Sequence, residues 1–145
     1  MPKISIDEFH DLMHSELPWA VEAGHRLIDI DKGRATLLLP ENDINLRPGG
    51  TISGPAMMGL ADAAMYAAVL SEIGKVKLAV TTSFNINFLR KPLPGDLTAE
   101  ADVIKLGRRL AVMEVSLFSL GEGGDRHEMV AHATGTYSIP PVDKP

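Results

Sequence analysis

The segment from Ala56 to Leu70 is apolar almost throughout, yet it carries one acid, Asp62, set among Leu60, Ala61, Ala63, Ala64 and Met65. An ionised carboxylate in such surroundings is costly unless it is paired or used. Directly before it runs a glycine- and proline-rich stretch, RPGGTISGP from Arg47 to Pro55. Gly50, Ser53 and Gly54 lie where a helix would begin, and backbone N–H groups there suit an anion or a developing oxyanion. The acid could act as a general base or a nucleophile. The plainer alternatives are a tight turn that needs glycine and a structural carboxylate held by a hydroxyl or an arginine.

Asp62 follows Gly54 by eight positions (62 − 54 = 8), roughly 12 Å along a helix at ~1.5 Å per residue. One carbonyl group cannot touch both. If the two act on the same bond, they come from two chains whose helices run antiparallel, an isologous dimer with two composite sites. Gly59, Ala63 and Ala67 would let a neighbour pack closely on this helix.

Other chemistry is poorly supported. His10 and His14 stand four apart on the first helical segment, but neither they nor His25, His127 and His132 have the partners of a metal site, and a solvated face is the simpler reading. No histidine or lysine adjoins Ser53 to suggest a triad, and there is no phosphate-binding lysine loop or dinucleotide fingerprint. The expectation is therefore no metal and no cofactor. Basic residues recur at strand ends: Arg90 and Lys91, Arg108 and Arg109, with Lys105 near. Taken singly each reads as edge protection; as a group they could grip phosphates at a pocket rim.

The 145 residues suit one domain, and 45% hydrophobic with 23% charged residues allows a real core. A net charge of -5 argues against nucleic acid as the main ligand. Absence of cysteine, of a secretory apolar run and of an uncharged membrane-length stretch reads as a cytoplasmic protein without a membrane partner.

The elements that must position these groups follow from pattern. Ser5 to Glu16 spaces Ile6, Phe9, Leu12 and Met13 as an amphipathic helix with a Ser5/Glu8 capping box. Leu17 to Gly24 is ambiguous. Arg26–Lys32 and Arg34–Leu39 read as a hairpin about Lys32 and Gly33. The central helix runs from about Pro55 to Ile73, with Ser53 as N-cap and Gly74 beyond its end. Val76–Leu89, Leu97–Leu106, Arg109–Leu120 and Met129–Ile139 read as strands. Because the central helix is apolar nearly all round, it must be wrapped. A six-stranded antiparallel sheet curled round it would do so, although periodicity does not separate that layout from other α+β folds.

The order of elements, the segment from Gly50 through Gly54, Pro55 and Gly59 to Asp62, the strand Ala79–Pro92 followed by Gly95 and Asp96, and Gly107–Ala111 together resemble the hotdog-fold acyl-CoA thioesterases of the phenylacetate-pathway, PaaI-like type. The resemblance spans about residues 19–139 of a single domain, 1–145. It implies an α+β hotdog fold with a six-stranded antiparallel sheet wrapped around a long central helix, plus a short N-terminal helix. It also implies hydrolysis of a medium-sized or aromatic acyl-CoA, and self-association as a homodimer or dimer of dimers. In the family pattern Asn-x-x-Gly-x-x-His-Gly-Gly, with an acid nine positions after the histidine, Asp62 takes the place of the acid and Gly54 that of the glycine whose N–H polarises the thioester. Gly50 matches the first glycine. Ser53 stands at the histidine (62 − 9 = 53), Arg47 at the asparagine with Asn45 two positions earlier, and Pro55 at the last glycine. Thr81, with Thr82 as its neighbour, matches a strand hydroxyl that holds the attacking water. Arg90, Lys91, Arg108 and Arg109 are the expected contacts to coenzyme A phosphates. A non-catalytic acyl-binding protein is the alternative reading, favoured by the missing histidine and asparagine; a hydratase is weaker, since it would need a histidine on the helix or its loop.

Overall fold

A computed structural model describes residues 1–41, 51–121 and 125–141. In chain order its elements are α1 (Ile6–Glu16), α2 (Pro18–Ala23), β1 (Arg26–Asp31), β2 (Arg34–Leu39), α3 (Gly54–Ile73), β3 (Val80–Phe88), β4 (Leu97–Leu106), β5 (Leu110–Leu120) and β6 (Arg126–Ser138). The strands form one antiparallel sheet in the order β1-β2-β4-β5-β6-β3. This is the hotdog arrangement, with α3 as the central helix inside a curled sheet.

The helix limits have local causes. Ser5 accepts the Glu8 N–H while Glu8 accepts that of Ser5, closing the capping box that starts α1. Ser53 caps α3 by accepting the Ala56 N–H at 3.1 Å, and Pro55 occupies the first turn, where it forfeits no helical bond. The Gly74 N–H closes the far end on Leu70 O, with a φ of 87° that favours glycine. By length and hydropathy α3 could cross a membrane, but 67% of its most apolar window is buried inside the protein, as in a core helix.

Burial of α3 dominates the core. Leu60, Met65 and Leu70 are fully enclosed and meet Leu37, Leu97, Met113 and Leu117 from the sheet. Each such side chain contributes about 1.5–3 kcal/mol on transfer from water. Alternation on β5 puts Ala111, Met113, Val115 and Leu117 inward, the period of two expected for a half-buried strand. A Cβ on Gly135 would stand 2.6 Å from Met65 Sδ and 3.2 Å from Ser83 O, so any larger residue there would require Met65 to shift.

The stretch before β1, left open with another turn of helix as one option, is a helix, α2, ending at Gly24 with φ 93°. Two expectations need correction. Val76–Ala79 is not strand: Val76 N–H bonds Gly74 O and Ala79 N–H bonds Val76 O, so the chain turns before β3 begins at Val80. The β-branched composition of Val76–Val80 does not distinguish these states, whereas the turn bonds do. The last strand starts earlier than Met129, at Arg126, because Leu120 pairs with it across the hairpin.

Candidate functional site

Asp62 sits in the middle of α3 and is partly exposed at the floor of a cleft of about 410 Å³. Two hydroxyls converge on one of its oxygens. Thr81 Oγ1 donates to Oδ1 at 2.7 Å, and the Tyr137 hydroxyl donates to the same Oδ1 at 2.8 Å, within 3.0 Å of the Asp62 carbonyl as well. Thr81 and Tyr137 are register partners on β3 and β6, so the sheet delivers both together. Oδ2 has no partner among the described residues. Burial, then the Asp62 charge, raises the Tyr137 pKa, so its phenol keeps its proton and stays a donor.

Of the two candidate threonines, the sheet register separates the roles. A bulge between Thr81 and Ser83 turns Thr82 outward, where its hydroxyl donates to Thr136 O at 3.2 Å. Thr82 does not approach Asp62.

Gly54, the first residue of α3, lies in a second hollow of about 380 Å³ with Met57, Phe88, Arg90 and Lys91. No hydrogen bond to its N–H is found among the described residues, as expected for the start of a helix. A Cβ on Gly54 would stand 3.5 Å from the Phe88 ring, an ordinary contact, so space alone does not demand glycine there. Asp62 and Gly54 thus open into different hollows of one chain. Ser53 faces neither: it lines a third cavity with Trp19 and His25.

The expected phosphate contacts divide as well. Arg90 is engaged, with Nε on Met129 O at 3.0 Å and its guanidinium paired to Glu128. Lys91 is exposed beside the Gly54 hollow. Arg108 lines a trough of about 520 Å³ with Lys75, Lys77 and Leu78, and Lys77 and Leu78 also line the Asp62 cleft. Arg109 is exposed outside that trough. Asn45, Arg47 and Gly50 lie outside the described residues. His10, considered above as half of a metal pair, accepts the Leu27 N–H on Nε2 at 3.0 Å.

Tyr137, Trp19, Lys75 and Lys77 escaped the sequence reading. Tyr137 alone left a signal, a hydroxyl-bearing residue at an inward position of a strand otherwise alternating Ala131, Ala133 and Gly135.

The thioesterase superfamily pattern matches residues 49–124, which include both Gly54 and Asp62. A Saccharolobus solfataricus protein named as a candidate esterase is 30% identical over 138 residues, 95% of this chain and 87% of its own length. A structure from Silicibacter sp. TM1040, named as a candidate thioesterase, is 40% identical with a TM-score of 0.83, covering 97% of this chain and 95% of that one. A variant of the phenylacetic acid degradation protein PaaI of Thermus thermophilus is 27% identical with a TM-score of 0.72, over 85% and 99% of the two chains. The chain belongs to the thioesterase superfamily, in its PaaI-like, hotdog-fold branch.

Proposed function

We propose that the protein hydrolyses acyl-CoA thioesters, with Asp62 of one subunit and Gly54 of another acting on the same carbonyl. The carrying observation is the state of Asp62: two hydroxyls fix Oδ1 and leave Oδ2 open on a cleft. A carboxylate so held is oriented without being neutralised by a cation, which suits a general base. Oδ2 takes a proton from water, the water oxygen bonds to the acyl carbon, and the Gly54 N–H stabilises the oxyanion. Collapse breaks the C–S bond, and the proton held on Asp62 goes to the departing thiolate.

The composite site requires self-association, and the free edge of β3 supports it. This strand pairs only with β6 among the described residues, while Val80 and Phe88 are 58% and 49% exposed. An open apolar strand edge is a surface that natural proteins usually cover. For the coenzyme A end, the trough holding Lys75, Lys77 and Arg108 is the better candidate than Arg90. It continues the Asp62 cleft and offers Lys75 and Arg108 without an acid partner among the described residues, whereas Lys77 is paired to Glu16 and the Arg90 guanidinium to Glu128. A medium-sized or aromatic acyl group fits the apolar walls around Trp19, Ala63 and Tyr66.

The test is thiol release from a panel of acyl-CoAs. Asp62→Ala is expected to lower kcat by about 10²–10⁴-fold at unchanged melting temperature. An Asp62→Ala protein as active as wild type removes the assignment. Saturable acyl-CoA binding with no release of thiol by wild type would select the non-catalytic binding role instead.

A further inference from the structure

One side chain touches the supports of both hydroxyls that hold Asp62. Tyr66 follows the acid by four positions on α3 (66 − 62 = 4), about one helical turn, so the two share a face and line the same cleft. Its phenol donates to the Lys77 carbonyl at 3.0 Å, and no other donor reaches that carbonyl among the described residues. Its ring stacks on Tyr137, with centroids 6.1 Å apart and planes 26° from parallel. Phe9 of α1, fully buried, packs against the same ring at 6.0 Å. Tyr66 itself is 5% exposed, so its ring has little room to move.

Each of these contacts leads to one donor of the acid. The Tyr137 hydroxyl bonds Asp62 Oδ1 directly. The Lys77 carbonyl belongs to the turn that joins α3 to β3, just ahead of Thr81, which supplies the other bond. The backbone bonds found in that turn, from Val76 N–H to Gly74 O and from Ala79 N–H to Val76 O, are internal to it. The ion pair from Lys77 to Glu16 is 3.5 Å long with the lysine side chain 60% exposed, and such pairs hold little. The Tyr66 phenol is the bond that ties the turn to the body of α3, close to the acid.

The hydroxyl is what needs explaining, because packing between Phe9 and Tyr137 asks only for a ring. Burial, then the Glu16 charge, pushes the Tyr66 pKa up to about 12, so the phenol keeps its proton and stays a donor. Groups that orient a reacting atom must be held to within about 0.5 Å, and Thr81 meets the carboxylate at the end of a connection with no other tie to the helix face. We propose that Tyr66 is a positioning residue for the Asp62 reaction: its hydroxyl fixes where Thr81 meets the carboxylate, while its ring supports Tyr137. The inference rests on the thioester-hydrolase reading above.

The test is a pair of double-mutant cycles built on Tyr66→Phe, which keeps the ring and removes the tether. Alone, this variant should lower kcat about fivefold at unchanged KM, the usual weight of one hydrogen bond. In a Thr81→Val background the same change should cost almost nothing, because the hydroxyl it positions is already gone. In a Tyr137→Phe background it should again cost about fivefold. A fivefold loss that persists beside Thr81→Val would mean that the phenol acts on the substrate or on packing, and overturns the proposal; a wild-type kcat in Tyr66→Phe does the same. If no thioester is hydrolysed, the hydrolase reading fails, and the cycles are read instead in urea unfolding of the same proteins. Stronger coupling of Tyr66→Phe to Thr81→Val than to Tyr137→Phe sustains the tether, and equal coupling to both removes it.

Discussion

The middle of α3 and its N-terminal end handle polar groups in opposite ways. At the middle, Asp62 is satisfied within the chain: a threonine from β3 and a tyrosine from β6 both donate to Oδ1. At the N-terminal end, the Gly54 N–H is a free donor of the helix start, and the buried His25 Nδ1 has no partner among the described residues. A fold that satisfies nearly all its buried polar atoms leaves such groups where something else completes them. On the function proposed above, the middle of α3 is one half of the site and its N-terminal end the other, to be completed by substrate or by a second copy of the chain.

The largest effect that could break this contrast comes from deleting the waiting donor. Gly54→Pro removes the N–H while keeping the helix start, since proline is accepted at the first helical position and Ser53, at ψ 155°, already has the extended backbone that proline imposes on its predecessor. We expect about 10²–10³-fold loss of kcat. Mixing Gly54→Pro with Asp62→Ala should then restore roughly one quarter of wild-type activity, because half the random dimers are mixed and each mixed dimer keeps one intact site of two. Absence of any recovery, with subunit exchange shown by mass spectrometry, would place both groups in one chain.

Next in size is acid sensitivity. Burial holds His25 near 4, below its ordinary 6.5. Between those values the unfolded chain takes up a proton that the native chain refuses, so native stability is present above about pH 6.5 and declines as pH falls towards about 4. At pH 5 the loss is about 2 kcal/mol. His25→Phe should flatten that part of the melting-temperature profile; parallel profiles for the two proteins would show that the imidazole is not held neutral.

A smaller effect sharpens the description of the finished half-site. Tyr137→Phe and Thr81→Val each remove one charge-assisted donor from Oδ1 and should lower kcat by about tenfold, whereas Thr81→Ser, which keeps the hydroxyl, should stay near wild type. Equal losses in Thr81→Val and Thr81→Ser would point to packing rather than to the hydrogen bond. The smallest change is expected at the rim. Lys75→Ala and Arg108→Ala should raise KM for coenzyme A thioesters about threefold at low salt, and less at high salt, as exposed charges do. Thioesters of 3′-dephospho-coenzyme A give the control, and a larger effect from Lys91→Ala would move the phosphates to the Gly54 side.

Much of this was legible in the amino acids because local rules govern it. The capping box at Ser5, the limits of α3 at Ser53 and Gly74, and the isolation of Asp62 in an apolar run are statements about neighbours in sequence. Tyr137 was not legible as a partner of Asp62, 75 positions away, because that contact depends on how β3 and β6 register and on how the sheet curls. Arg90 looked available as a cation until the strand pairing brought Glu128 beside it. The cavity at His25 is likewise a tertiary product, made where α2, the start of β1 and the first turns of α3 meet.

The bulge in β3 has one more consequence. Phe84 and Ile86 face the helix from even positions, and an unbroken two-residue repeat would carry that parity back to Thr82. The extra residue resets the phase, so an odd position, Thr81, delivers its hydroxyl to the acid while its twin is spun into solvent. Two identical side chains side by side therefore differ in fate by half a pleat. Insertion or loss of one residue here would switch which of them meets the carboxylate without altering a single atom of either.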